Sequence, residues 1–443
     1  MTGHTDRRAL LRAITGLGVA AALPAAGRAA ETGAALRIDA ERLRRNIEDL
    51  SVFGRPAGGS FADGVSRFAY SDADLAGRAF TMKLIQAAGA TPRIDAAGNI
   101  LARREGAVTG LKPIMIGSHV DSVPGGGNFD GALGSLAAIE ILRVLNARKV
   151  ALRHPLELAI WSNEEGGLIG SGLATGGHPA SILELSQNGI KRADGVRRIG
   201  GDPARLAEAR LTEGSVRAYL ELHIEQSGML EKTGIPVGVV DGIVAIDEYE
   251  VEIRGVANHA GTTPMAERHN ALLAAAKLVE AVQEEVTREP GRQVGTVGHL
   301  EVFPNARNVV PGLVKHTIEL RDLDPAKVKA MGVRIARRAE AIAAETGTEI
   351  TLKAPEHDPA ALATPAVQRQ IEAAAASLGF KTLHLPSGAS HDAGMMARIA
   401  PMGMIFVPSV CGVSHSPKEL TRWEDCANGA NVLLQTVLRI DAE

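Results

Sequence analysis

From residue 36 onward, short uninterrupted apolar runs alternate with longer stretches of helical periodicity, and that alternation leaves few architectures open. Ile114-Met115-Ile116 is a buried-strand run ending at Gly117. Between Gly131 and Asn146 the apolar positions Leu133, Leu136, Ala137, Ile139, Leu142 and Leu145 recur at helical spacing. Leu156 to Trp161 reads as a second strand and Tyr219 to Leu222 as a third. Each run needs a partner for its apolar face, so the pattern demands an α/β fold, a central mixed sheet flanked by helices. At 443 residues the chain exceeds one ordinary core, and two domains are expected.

Between roughly Gly242 and Pro355 the pattern changes. A strand near Tyr249 to Ile253, a helix from Asn270 to Val286 and strands near Val294 to Val302 and Val314 to Leu320 come first; a helix from Ala326 to Ala344 and a strand at Glu349 to Leu352 follow. The order βαββαβ is the split arrangement of a ferredoxin-like domain. It is expected as an insertion over residues 242–355, because a helix at Pro365 to Leu378 and a strand at Met404 to Val407 resume the first pattern. The first domain is then built from 36–241 and 356–443. Ser181 to Leu211 has weak periodicity and reads as a surface excursion.

Residues 1–30 read as an export signal. Arg7 and Arg8 precede a mild apolar run from Ile14 to Leu23, shorter than the roughly 20 residues of a membrane span, and small residues from Ala25 to Ala30 offer a cleavage site. The paired arginines point to the twin-arginine type, which carries folded proteins to the periplasm. A formal net charge of -3, with no long basic stripe, argues against a nucleic-acid partner. Cys411 and Cys426 allow at most one disulfide and cannot build a cysteine-rich metal site; two small buried thiols are expected.

The chemistry lies in polar clusters just past the carboxyl ends of the strands, where open α/β sheets bind ligands. Gly117-Ser118-His119-Val120-Asp121 is followed by Asn128-Phe129-Asp130-Gly131, Ser162-Asn163-Glu164-Glu165, His223 and His415. Imidazoles and carboxylates suit zinc or a similar divalent ion, and five such ligands hold two ions if one carboxylate bridges them. Two ions about 3.5–4 Å apart share a water, lower its pKa toward ~7 and polarise a carbonyl. Glu164 and Glu165 cannot point the same way from an extended segment, so one is expected to ligate while the other serves as general base.

As a set, these motifs resemble the M20 metallopeptidase clan and, within it, the hydantoinase/carbamoylase amidase family of N-carbamoyl-L-amino acid hydrolases, β-ureidopropionases and allantoate amidohydrolases. The matching segments run from Gly117 to Glu419. The resemblance implies His119, Asp130 and His223 around one divalent cation, Asp130, Glu165 and His415 around a second, and Glu164 as the base. It implies Asp121 as the carboxylate that orients His119. Zinc and manganese are the implied metals, with cobalt and nickel tolerating the same donors.

In the inserted domain, Asn258-His259-Ala260-Gly261-Thr262-Thr263-Pro264 is similar to a family segment that reaches the active site. In relatives this domain mediates dimerisation, so a homodimer is implied, with His259 stabilising the oxyanion across the subunit boundary. Arg321 would clamp a substrate carboxylate, with Asn308 nearby; the plainer reading of Arg321 is an ion pair with Asp322 or Asp324. Gln226 and His391 complete the implied substrate set. His154, His178, His357 and His384 lack a ligand constellation and read as structural or surface residues.

The implied reaction is hydrolysis of a C–N bond in an N-carbamoyl-L-amino acid or related ureido acid. A clan peptidase or aminoacylase is the alternative, against which His223 speaks, since peptidase relatives place a carboxylate there. A fold-sharing binding protein without catalysis predicts an eroded site, whereas every ligand type is in place. Three departures from the family pattern border the substrate: Gly166-Gly167-Leu168-Ile169-Gly170-Ser171, Ser227-Gly228 and Ser390.

Overall fold

Four strands with every residue buried form the centre of the molecule: Leu156–Trp161, Ile114–His119, Ala218–Ile224 and Met402–Val407, side by side in that order and mutually parallel. Burial on both faces is why their sequences are continuously apolar until the polar residues at their carboxyl ends. The computed structural model describes residues 35–443; the expected export signal at 1–30 lies outside the described residues. Antiparallel strands Ile100–Arg104 and Pro92–Ile94 extend one edge. Val237–Ile243, Ala361–Leu362 and Thr382–Ser387 extend the other, which makes the nine-stranded sheet mixed.

Helices Ala132–Ala147, Pro365–Ser377 and Trp423–Ala442 cover one face through Leu136, Ile139, Ile371, Leu433 and Val437. The shorter helices Ile169–Thr175 and Asp392–Met396 lie over the other, where Ala174, Ala393 and Met396 pack on Trp161, Tyr219 and Phe406. Among the described residues no helix is long and apolar enough to cross a membrane.

A second, wholly antiparallel sheet is organised around the long pair Ala245–Arg254 and Leu313–Asp322, with Glu349–Leu352 on the outer side of the first. Helices Ala271–Thr287 and Pro325–Thr346 cover one face, burying Ala274, Leu278, Val282, Ile318 and Ile335. The expected strand from Val294 to Val302 is two strands, Val294–Thr296 and Leu300–Phe303, both paired to Leu313–Asp322. Between the pairs Thr296↔Glu319 and Leu300↔His316 one extra residue is accommodated around Gly298, where a side-chain-free position permits a bulge. Leu36–Glu443 clusters as one compact unit.

Two further points qualify the expectations. The 181–211 segment lies largely at the surface, as expected, but is not without a core of its own. Its short turns and the helix Arg192–Arg198 bury Leu183, Val196 and Ile199 against Ile169, Leu173 and Tyr70, a small core with too little repetition to show as periodicity. Nor are both thiols buried: Cys426 is enclosed in the last helix, whereas Cys411 is exposed in a turn, and the two are not bonded.

Candidate metal centre

The side chains at the strand ends converge. One ligand atom each from His119, Asp130 and His223 lies within 4.8 Å of the others, and the same holds for Asp130, Glu165 and His415. Asp130 is common to both sets because its two oxygens face different ways. Oδ1 lies 3.4 Å from His119 Nε2 and 3.2 Å from His223 Nε2, while Oδ2 lies 3.6 Å from His415 Nε2. Glu165 Oε2 stands 3.4 Å from His415 Nε2.

The imidazoles are set as donors. His119 Nδ1 is 3.1 Å from the carbonyl of Asp121, and His223 Nδ1 is 2.9 Å from that of Ile224. A carbonyl only accepts, so Nδ1 carries the hydrogen and the Nε2 lone pair is left for the centre. Gly131 donates its N–H to His223 Nε2 at 3.2 Å. At Gly131, φ is 61° and a Cβ would sit 2.3 Å from the His119 ring, so only glycine lets the Asp130 turn approach this closely.

Backbone conformations uncommon outside glycine recur around the cluster. Asn163, Gln226 and His415 take φ values of 52°, 52° and 53°, which places costly local geometry where the functional side chains are aimed. After Asn163 the chain turns, and Glu164 and Glu165 diverge: Glu165 joins His415, and Glu164 Oε2 lies 3.6 Å from His119 Nε2, outside both donor sets.

Asp121 has a second job beside the one expected. Its Oδ1 stands 3.7 Å from His119 Nδ1, to which the Asp121 backbone carbonyl is the nearer acceptor, and the carboxylate also accepts the N–H of Glu164 at 3.3 Å and that of Glu165 at 3.2 Å. Asp121→Asn presents an amide N–H2 to one of those donors. Hydrogen bonds to charged groups contribute about 1.5–3 kcal/mol, so kcat is expected to fall about tenfold to a hundredfold with metal content unchanged. Steady-state kinetics alongside elemental analysis checks this, and wild-type kcat in the variant would remove Asp121 from the role.

Glu419, which residue-type reasoning did not single out, holds the shared carboxylate in place. Its Oε1 accepts the N–H groups of Phe129 and Asp130 at 2.9 and 3.1 Å. The Ser414 hydroxyl lies 2.9 Å from Glu419 Oε2 and 3.0 Å from Asp130 Oδ2. A carboxylate four residues past His415 carries no distinctive spacing, so nothing local marks it.

The electrostatics fit a cation. Burial opposes charge on His119, yet Glu164, Asp130 and Asp121 hold its pKa well above the ordinary imidazole value. Burial likewise opposes charge on Asp130, but His223 and His119 hold it well below the carboxylate range. Glu165, buried beside Asp130, is pushed up to about 8, and burial pushes Glu164 up as well. His119 Nε2 and Glu165 Oε1 are buried with no hydrogen-bond partner. A cluster this rich in carboxylates draws positive charge, and its nitrogen and oxygen atoms suit borderline divalent ions.

The cluster opens into a cavity of about 660 Å³ that Gln226, Arg321 and His391 also line. Gln226 Nε2 donates to Asp130 Oδ2 at 2.7 Å. His391 packs edge-on to His223, ring centroids 4.4 Å apart, and burial holds it well below the usual imidazole pKa. Arg321 pairs with Glu319 at 2.7 Å and with the Gly388 carbonyl, not with Asp322 or Asp324. On a strand, side chains alternate, so its neighbour Asp322 faces the other way, while Glu319 shares its face. His178 and His357, expected as structural or surface residues, line the cavity too, as do Leu168 and Ser390. Ser227 turns instead to Glu225 at 2.9 Å. His259 and Asn308 are exposed and are not among the lining residues.

Comparison with known proteins follows the same line. The model for peptidase family M20/M25/M40 matches residues 115–439. The N-carbamoyl-L-amino acid amidohydrolase of Geobacillus stearothermophilus is 39% identical over 409 residues, covering 91% of this chain and 99% of the relative. The ureidoglycolate hydrolase of Arabidopsis thaliana is 36% identical over 423 residues, covering 92% and 88%. An amidase of the hydantoinase/carbamoylase family from Burkholderia multivorans has a solved structure with a TM-score of 0.84 at 34% identity, over 92% of this chain and 99% of that one. Sequence, fold and donor chemistry therefore agree, and the chain belongs to peptidase family M20/M25/M40, alongside its hydantoinase/carbamoylase amidases.

Proposed function

We propose that this protein is a metal-dependent amidohydrolase that cleaves a C–N bond of an N-carbamoyl-L-amino acid or related ureido acid. The divided carboxylate of Asp130, each oxygen facing its own set of donors, is the observation that carries the reading. His119, Asp130 and His223 would hold one divalent ion and Asp130, Glu165 and His415 a second, zinc or manganese being the favoured pair. When bound, such ions lower the pKa of water and polarise the scissile carbonyl.

Glu164 lies in neither donor set, which leaves its carboxylate to take a proton from the attacking water and deliver it to the departing nitrogen. Arg321 keeps donors beyond those used by Glu319 and Gly388, and these would receive the substrate carboxylate. Gln226 and His391 would hydrogen-bond the ureido group.

The domain over residues 242–355, which carries all of the second sheet but its edge strand Glu356–Asp358, would serve for dimerisation and as a lid. His259 Nδ1 accepts the N–H groups of Gly261 and Thr262 at 3.0 and 3.1 Å, so the neutral ring carries its hydrogen on Nε2 and offers a donor outward. With Asn308 it would complete the active site of a second copy. Exposed apolar side chains on the same sheet and its helix, Leu272, Leu273, Leu300 and Phe303, favour such an interface. Arg7, Arg8 and the run from Ile14 to Leu23 would direct export.

A panel of ureido acids, allantoate, dipeptides and N-acetyl amino acids, run on protein reconstituted with manganese or zinc, tests the reading. Turnover of ureido acids is expected to exceed that of the other classes, and hydrolysis confined to dipeptides or N-acetyl amino acids would assign a peptidase or aminoacylase instead.

A further inference from the structure

Away from the strand ends, Leu168, Ile182, Arg192, Met395 and Arg398 line the same cavity as Glu165. Arg192 opens the helix Arg192–Arg198, whose Ala193 and Val196 are locked into the small core with Ile169, so its backbone is fixed.

The charges of this segment are unevenly satisfied. Lys191 pairs with Glu184, Arg197 with Asp194 and Arg198 with Asp72, all on the outer surface. Arg192 makes no ion pair among the described residues. One terminal nitrogen donates to the Gly166 carbonyl at 2.8 Å, which aims the guanidinium, and its Nε is buried without an acceptor. Arg321, by contrast, already has Glu319 beside it. A part-buried, oriented guanidinium without a counter-ion is a site for a planar anion, because pairing offsets the cost of its desolvation.

The geometry points to Arg192, supported by Arg398 in the same cavity lining, as the receptor for a second carboxylate of the substrate. This rests on the amidohydrolase reading and narrows it: the preferred substrate class is a ureido dicarboxylic acid. One carboxylate goes to Arg321 and the distal one to Arg192. The methylenes between them lie along Leu168, Ile182 and Met395.

N-carbamoyl-L-glutamate and N-carbamoyl-L-glutamine have the same shape and differ in the charge of the distal group. With the metal-loaded enzyme, kcat/KM for the glutamate compound is expected to be higher by about tenfold, the scale of one charge-assisted contact, and Arg192→Met is expected to bring the ratio near unity. The wild-type ratio is a test by itself should that variant fold poorly. In calorimetric titration of the metal-free protein, L-glutamate is expected to bind about tenfold more tightly than L-glutamine. Equal kcat/KM values for the two ureido acids overturn the inference while leaving the amidohydrolase reading intact. If neither is hydrolysed but N-acetyl amino acids are, the parent reading fails, and the titration decides alone: equal affinities, or no heat from either ligand, overturn the second carboxylate site.

Discussion

Glu164→Gln is expected to lower kcat by about 10²–10⁴-fold, the usual contribution of a positioned general base, without changing the amount of metal bound. The amide has the carboxylate's shape, so a residue this well buried can be exchanged with little repacking. What it loses is the capacity to accept and return a proton. The two readouts separate the roles: Glu164 belongs to neither donor set, so metal content measured by elemental analysis should match wild type while single-turnover chemistry slows. Unchanged turnover would sink the assignment, and a parallel loss of metal would make Glu164 a ligand.

Asp130→Asn should be more damaging. Asp130 is the one residue shared by both donor sets, and asparagine offers a single neutral oxygen where two anionic ones face His119, His223 and His415. The variant is expected to lose about 10³-fold or more in kcat, because without the cations water returns toward its bulk pKa. It should also lose the rise in Tm that metal gives the wild-type protein, since a ligand that binds only the folded state stabilises it by mass action. Melting curves with metal and with chelator would then coincide. Wild-type metal stoichiometry in Asp130→Asn would show that the two sets do not share this carboxylate.

Much of the framework is legible in the chain. Parallel strands buried on both faces must be continuously apolar, so Ile114–His119, Leu156–Trp161 and Ala218–Ile224 stand out, and their polar continuations mark the ligand-binding edge. Val237–Ile243 and Thr382–Ser387 do not stand out in the same way: the first carries two glycines and an aspartate, and the second includes a proline, so neither shows a clean apolar run. The five donor residues could be named because imidazoles and carboxylates at strand ends are a small set with few alternative uses.

Residue type and spacing determined which side chains could bind a cation, since donor chemistry is a property of the side chain itself. Only the tertiary structure decided how they are held: that the two oxygens of Asp130 face different histidines, that Asp121 holds the Glu164–Glu165 turn as well as lying beside the His119 ring, and that Glu419 braces the shared carboxylate. The turning of Arg192 into the same cavity as Arg321 is likewise a tertiary fact. Each of these depends on contacts between residues tens to hundreds of positions apart, whose directions are set by the packing of strands and helices and by backbone turns such as those at Asn163 and Gly131. Local periodicity reports which face of an element is apolar; it holds no information about where a side chain from a distant segment will meet it.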